Sequence, residues 1–220
     1  FERECRDVLA DLELFLLEEC EREPTRTPVG LEVSFGHSVH EDEDGEPEPL
    51  AQEEPVVVDL GDGVTFKLGG RIDRIDQVGD GTFEIIDYKT GNYYAKKWAS
   101  GVFKGGGRLQ HALYGVAAGQ LLRKKYKGAK VARAVYYFSS VKGGKERRPI
   151  ETPSKAALAE VLADLRGVIA SGTFIHAADK EACMFCDLGV ACGAIDALGR
   201  VEIKTQDRLL AARRRLQTRD

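Results

Sequence analysis

Two stretches, 64–77 and 82–89, alternate apolar with polar residues, and Gly79-Asp80-Gly81 between them supplies the positive φ angles a tight turn needs. The pattern predicts an antiparallel β-hairpin. Upstream, residues 2–21 carry Val8, Leu9, Leu12, Phe15 and Leu16 at helical spacing and stop before Pro24, so an amphipathic helix is expected there. Residues 29–35 alternate like a strand. The stretch 40–55 is acidic, contains proline and offers almost nothing apolar to bury, which predicts a mobile loop. Downstream of a glycine-rich stretch, 101–107, residues 109–126 have helical periodicity, and ARAVYYFSS at 132–140 reads as a core strand. Ser154 is positioned to cap a helix that Gly172 ends, and the basic tail 208–219 reads as helical.

At 220 residues and 43% hydrophobic, the chain is long enough for one good core. A single domain, 1–220, is expected, with an N-terminal helix (1–23), the acidic loop (40–55), the hairpin and following helix (64–126), and a cysteine-bearing segment with its tail (176–220). The chain starts at Phe1 and its one methionine is Met184, so it reads as a segment of something longer. The net charge of −4 gives no global signal for nucleic acid, yet Lys96, Lys97, Lys104, Arg108, Arg123, Lys124, Lys125, Lys127 and Lys130 are clustered and can neutralise phosphates locally. The apolar run 14–17 is too short to span a bilayer, and no secretory signal pattern is present, so a cytoplasmic protein with no membrane partner is expected.

The hairpin carries the chemistry. Pairing it symmetrically about Asp80 sets Asp73 opposite Asp87, where Cβ atoms lie about 4.5–5.5 Å apart and like charges repel unless a cation sits between them. Mg²⁺, or Mn²⁺ in its place, suits that position, because a hard ion is held by one or two carboxylates plus waters and substrate oxygens. Lys89, two residues beyond Asp87, projects from the same face and can reach a scissile phosphate. Gly69-Gly70 on the opposing strand removes side chains where a backbone or ligand could come close. Gln110 and Tyr114 share one face of the next helix, and both side chains can contact phosphates or bases.

In order, Gly70-x-Ile72-Asp73, Ile86-Asp87-Tyr88-Lys89-Thr90-Gly91 and Gln110-x-x-x-Tyr114 resemble the RecB-like branch of the PD-(D/E)XK nuclease superfamily. The resemblance spans roughly 29–192. It implies an α/β, restriction-endonuclease-like core, a mixed β-sheet flanked by helices, with a C-terminal cysteine-cluster segment. It also implies that Asp73 and Asp87 hold the metal, that Lys89 serves the nucleophilic water or the transition state, and that Gln110 and Tyr114 form a supporting DNA-contact motif. Such families carry a further metal-site histidine or glutamate upstream. Either that residue lies before Phe1 or the site is incomplete, with Glu32 the substitute within the chain.

Five cysteines, an odd number, speak against a secreted disulfide framework. Cys183-x-x-Cys186, then five residues and Cys192, gathers three thiols as a tetrahedral thiolate site requires. Residue chemistry leaves zinc ahead, with His176 nearby, and an iron–sulfur cluster as the other choice. The resemblance reverses that order, because the pattern is similar to iron–sulfur nucleases of the AddB type, in which an upstream cysteine completes a [4Fe–4S] cluster. It implies Cys5 or Cys20 as the fourth ligand.

The function expected is a metal-dependent DNA exonuclease in repair or recombination, partnered by a helicase domain or subunit. Two rivals are a DNA-binding and assembly module with an inactive site, and a zinc-stapled interaction domain.

Overall fold

The computed structural model describes residues 1–22, 25–37, 48–59, 61, 65–98, 101–172, 186–193 and 207–219. They divide into two compact units, Phe1–Val102 with Arg108–Lys155, and Phe103–Gly107 with Ala156–Asp220.

The first unit is built on strands β1 (Thr27–Phe35), β2 (Val56–Asp59), β3 (Thr65–Leu68), β4 (Gly70–Gly79), β5 (Thr82–Tyr88), β6 (Lys130–Tyr137) and β7 (Arg147–Glu151), with helices α1 (Glu2–Cys20), α2 (Ala95–Trp98) and α3 (Gln110–Lys125). Five strands form one mixed sheet in the order β1-β4-β5-β6-β7, while β2 and β3 pair separately. Only β5 and β6 run parallel within the main sheet. A parallel pair needs a crossover, and α3 supplies it. The mixed sheet flanked by helices expected from the sequence is therefore present.

Each face of the sheet is covered for a different reason. On one, Ile75, Phe83 and Ile85 pack against Ala117, Ala118, Leu121 and Leu122 of α3, whose alanines let the helix lie close. On the other, Ile86, Val135 and Tyr137 meet Phe15 of α1, whose ring packs edge-on against Tyr88 at 5.8 Å between centroids.

That second face also buries charge. Asp76 pairs with Glu84 across β4 and β5, and both carboxylates are essentially inaccessible. Two like charges so placed repel. Arginines resolve the conflict: Arg74 Nε donates to Asp76 at 2.6 Å and Arg22 Nη1 at 2.8 Å, while Arg26 reaches Glu84 at 2.5 Å and Arg133 binds its other oxygen. Glu19 of α1 accepts from Arg74 at 2.8 Å, tying the helix to the sheet by charge as well as by Phe15.

Several expectations are corrected. The strand read over 64–77 is two strands, broken at Gly69, because its first part turns to pair with β2. The helix α1 forms as expected, but Val8, Leu9, Leu12 and Leu16 are at least half exposed, and Phe15 is the residue that docks. Of the acidic segment 40–55, residues 40–47 lie outside the described residues. The rest is not a loose loop: Leu50 is buried in the core and the Gln52 amide donates to the Ser34 carbonyl at 3.0 Å. Strands β2 and β7 were not anticipated; β7 contains Pro149, which an edge strand tolerates.

In the second unit, α4 (Lys155–Ala170), α5 (Gly189–Cys192) and α6 (Ala211–Gln217) are the helices among the described residues, with a 3₁₀ turn at Arg208–Leu210. Asp164 of α4 is buried and accepts from Arg215 Nε at 2.7 Å and from Arg219. The basic tail therefore folds back by ion pairing. No helix among the described residues is long and apolar enough to cross a membrane.

Truncating one partner of a buried ion pair strands the other charge, at a cost of about 3–5 kcal/mol. Arg74→Ala is expected to destabilise the protein by about that much, read as a fall in the urea midpoint at unchanged slope.

Candidate active site

The hairpin register decides which carboxylates meet. Arg74 pairs with Ile86 and Ile75 with Ile85, and one further step in this register sets Asp73 against Asp87. The irregularity between Gln77 and Gly79 sits beside the turn and does not propagate. Gly81, at φ +60°, makes the turn possible.

Asp73 Oδ2 accepts from the Tyr88 amide at 2.9 Å, so its carboxylate is anchored to the neighbouring backbone. Asp87 is held at both oxygens. Gln110 Nε2 donates to Oδ1 at 2.7 Å and the Lys89 ammonium pairs with Oδ2. Lys89 is fixed at its backbone as well, where its amide donates to the Tyr137 carbonyl at 2.8 Å as β5 ends. A cavity over this group is lined by Asp73, Asp87, Gln110, His111, Tyr114 and Tyr136, among others.

Burial raises the pKa of Asp87 above the usual carboxylate value; Lys89 pulls against that rise, and the charge of Asp73 adds to it. The two opposed carboxylates are hard oxygen donors in mutual repulsion, which fits a divalent cation completed by water and substrate oxygens. Among the described residues, no group of three or more histidine, cysteine, aspartate or glutamate side chains gathers for a metal. The donor set on view is this pair.

The glycines before Asp73 have specific work. A Cβ on Gly70 would lie 2.6 Å from the Tyr114 hydroxyl oxygen, and one on Gly36 would lie 2.7 Å from the Gly69 Cα. Tyr114 thus seats against bare backbone, with its ring edge-on to Phe35 at 5.9 Å. Gln110, expected to contact DNA, has its amide turned to Asp87.

Other candidates are placed elsewhere. Glu32, at φ +49°, is 60% exposed and pairs with Arg71 Nε at 2.9 Å; it does not line the cavity. Arg108, counted among the phosphate-neutralising cations, is instead buried: it donates to the Gly101 carbonyl at 2.7 Å and its guanidinium lies over Trp98. Cys5 and Cys20 are exposed on α1, and Cys186 is exposed in the second unit. Cys183, His176 and the Cys192 side chain lie outside the described residues, and the cysteine cluster with them.

Two cavity residues were missed by sequence reasoning. Tyr136 lies within the stretch read as core strand, and only its register opposite Asp87 brings it to the site. Burial pushes its hydroxyl up to about 12, and the charge of Asp87 acts in the same direction. His111 follows Gln110 directly, but nothing in an isolated histidine signals burial.

Burial lowers His111 to about 4, and the charge of Arg108 adds to the effect. The unfolded chain therefore takes up this proton first as the pH falls. Stability from the neutral ring is complete above about pH 6.5 and is lost as the pH drops toward 4, amounting to about 3 kcal/mol. Urea titrations from pH 7.5 to 4.5 should show a shallower acid decline for His111→Asn than for the wild type.

Comparison with known proteins bears on the family of the chain. Residues 2–193 match the family model of the PD-(D/E)XK nuclease superfamily. No individual curated protein matches the chain. With a match that covers most of its length and a mixed sheet flanked by helices, consistent with the restriction-endonuclease-like fold, the chain belongs to the PD-(D/E)XK nuclease superfamily.

Proposed function

We propose that this chain is a Mg²⁺- or Mn²⁺-dependent deoxyribonuclease that hydrolyses phosphodiester bonds at the cavity over Asp73 and Asp87. Superfamily membership gives the coarse reading, a nuclease. The observation that carries the finer one is the convergence on Asp87, where an opposed carboxylate, an ammonium and an amide meet across two strands and a helix.

Asp73 and Asp87 would hold the cation, which supplies Lewis acidity toward the scissile phosphate. The protein's own groups do the rest. Gln110 keeps the Asp87 carboxylate in one orientation, and the Tyr88 amide does the same for Asp73. Lys89 brings a fixed positive charge where negative charge grows on the phosphoryl oxygens in the transition state, a placement that costs no reorganisation during reaction. Tyr114 packs Gln110's helix against the sheet through Phe35 and the bare Gly70. Exposed cations at Arg123, Lys124, Lys125, Lys127 and Lys130 offer phosphate contacts for the DNA backbone.

Beyond the chemistry, we assign the chain to DNA repair or recombination as an exonuclease working with a helicase domain or subunit. A [4Fe–4S] cluster on Cys183, Cys186 and Cys192, completed by Cys5 or Cys20, would staple the domain. The motif order and the cysteine spacing support this assignment.

The test is degradation of end-labelled linear DNA with Mg²⁺ or Mn²⁺, and the absorbance near 400 nm of the same sample. Asp87→Ala and Lys89→Ala should each lower cleavage at least 100-fold while leaving DNA binding within a few-fold. Wild-type rates in either variant would refute the assignment. A wild type that binds but never cuts would make the protein an assembly module instead.

A further inference from the structure

We propose that Tyr136 is the positioning residue for Lys89: the face of its ring holds the ammonium at the site, and Trp98 fixes the ring. This rests on the nuclease reading above for its kinetic consequence, though not for its geometry.

The Lys89 side chain has four rotatable bonds before its ammonium, and its ion pair with Asp87 is a single contact. A point charge so tethered wanders, and each alternative rotamer takes the charge away from the phosphate. A second contact of different chemistry is present. The Lys89 Nζ lies 5.4 Å from the centroid of the Tyr136 ring, within the range where the negative face of an aromatic quadrupole attracts a cation. The ring is 4% exposed and the Lys89 side chain 35%, so the pair is partly shielded from water, which strengthens the attraction.

The placement follows from the fold. β5 and β6 pair in parallel with Asp87 opposite Tyr136, so the carboxylate and the ring project from one face of the sheet, and Lys89, two residues on from Asp87, lies beside both. The ring itself is immobilised. Trp98 packs on it at 4.8 Å between centroids and His111 meets it edge-on at 6.3 Å. Trp98 is in turn held by Phe138 at 5.4 Å and by the Arg108 guanidinium at 4.6 Å. A rigid stack of aromatic rings therefore ends at a surface facing the ammonium. Because the ring attracts the ammonium without consuming Asp87's oxygens, Lys89 stays in place when that carboxylate is engaged elsewhere. The part of Tyr136 that acts on Lys89 is its ring face; the hydroxyl is engaged elsewhere, with the His111 backbone.

The kinetic test compares Tyr136→Phe with Tyr136→Leu. Phenylalanine keeps the face and should leave kcat within about threefold of wild type. Leucine removes it and should lower kcat about 10–30-fold with KM within twofold, since DNA binding does not depend on where the ammonium rests. In the Lys89→Ala background, Tyr136→Leu should cost nothing further. Equal losses in the phenylalanine and leucine variants, or an undiminished kcat in leucine, would overturn the proposal. A spectroscopic readout keeps it falsifiable if the leucine variant fails to fold or the wild type proves inactive. After reductive ¹³C-dimethylation, the Lys89 methyl protons, assigned by their loss in Lys89→Arg, should be displaced upfield by the ring current in wild type and in Tyr136→Phe. An unshifted Lys89 signal in the folded wild type would refute the contact whatever the nuclease assay gives. Absence of cleavage with the shift present would refute the nuclease reading alone.

Discussion

The register between β4 and β5 is the constraint on which the rest of the structure depends. Side chains alternate with period two, so one register sends Asp73 and Asp87 to one face and Arg74, Asp76, Glu84 and Ile86 to the other. A slip of one residue would exchange the two sets. Both faces then confront the same electrostatic problem, a pair of carboxylates on neighbouring strands, and they resolve it differently. Beneath α1, four arginines from three segments (Arg22 and Arg26 between α1 and β1, Arg74 on β4 and Arg133 on β6) neutralise Asp76 and Glu84 from within the protein. Over the cavity, Asp73 and Asp87 have one ammonium, one side-chain amide and one backbone amide between them, and burial raises the pKa of Asp87, with the charge of Asp73 adding to the rise. A closed network fixes the hairpin; an open one is available for chemistry.

The rigidity of the second face serves the first. Because the charges below the sheet are buried and fully paired, misregister would cost the desolvation of several ions at once. The site above inherits that precision. Its remaining parts are set by close approach rather than by charge: Gly70 lets Tyr114 seat α3 on the sheet, and α3 delivers Gln110 to Asp87. The parallel pairing of β5 with β6 adds Tyr136, and the aromatic stack behind it completes a floor that does not yield.

Much of this was legible in the chain. The hairpin, its pairing about Asp80 and the helix that carries Gln110 and Tyr114 rest on local patterns, where alternation, turn glycines and helical spacing act over a few residues. What escaped was non-local. Leu50 looks like a stray apolar residue in an acidic stretch, and only the return of that segment alongside β1 buries it. The leucines of α1 look like a core-facing stripe, yet Phe15 alone reaches Tyr88 and Tyr137, because the adjoining surface of the sheet is claimed by arginines and carboxylates. Arg108 reads as a DNA-facing cation until Trp98 and the Gly101 carbonyl enclose it.

By itself, then, the sequence determined the hairpin, β6, α1 and α3, and which residues each presents on a common face, since periodicity is a property of the backbone and needs no partner. It made the carboxylate opposition an expectation from the turn at Asp80, and the register of β4 with β5, its irregularity confined beside the turn, realised it. Only the tertiary structure decided which charges are spent within the protein and which are left for a ligand. Arg74 and Lys89 are both cations beside aspartates in the sequence. One is buried beneath a helix and locked into the fold, and the other lies at the end of a strand against Tyr136, because pairings between β5, β6 and the helices, formed over long separations, set the dielectric and the company each charge keeps.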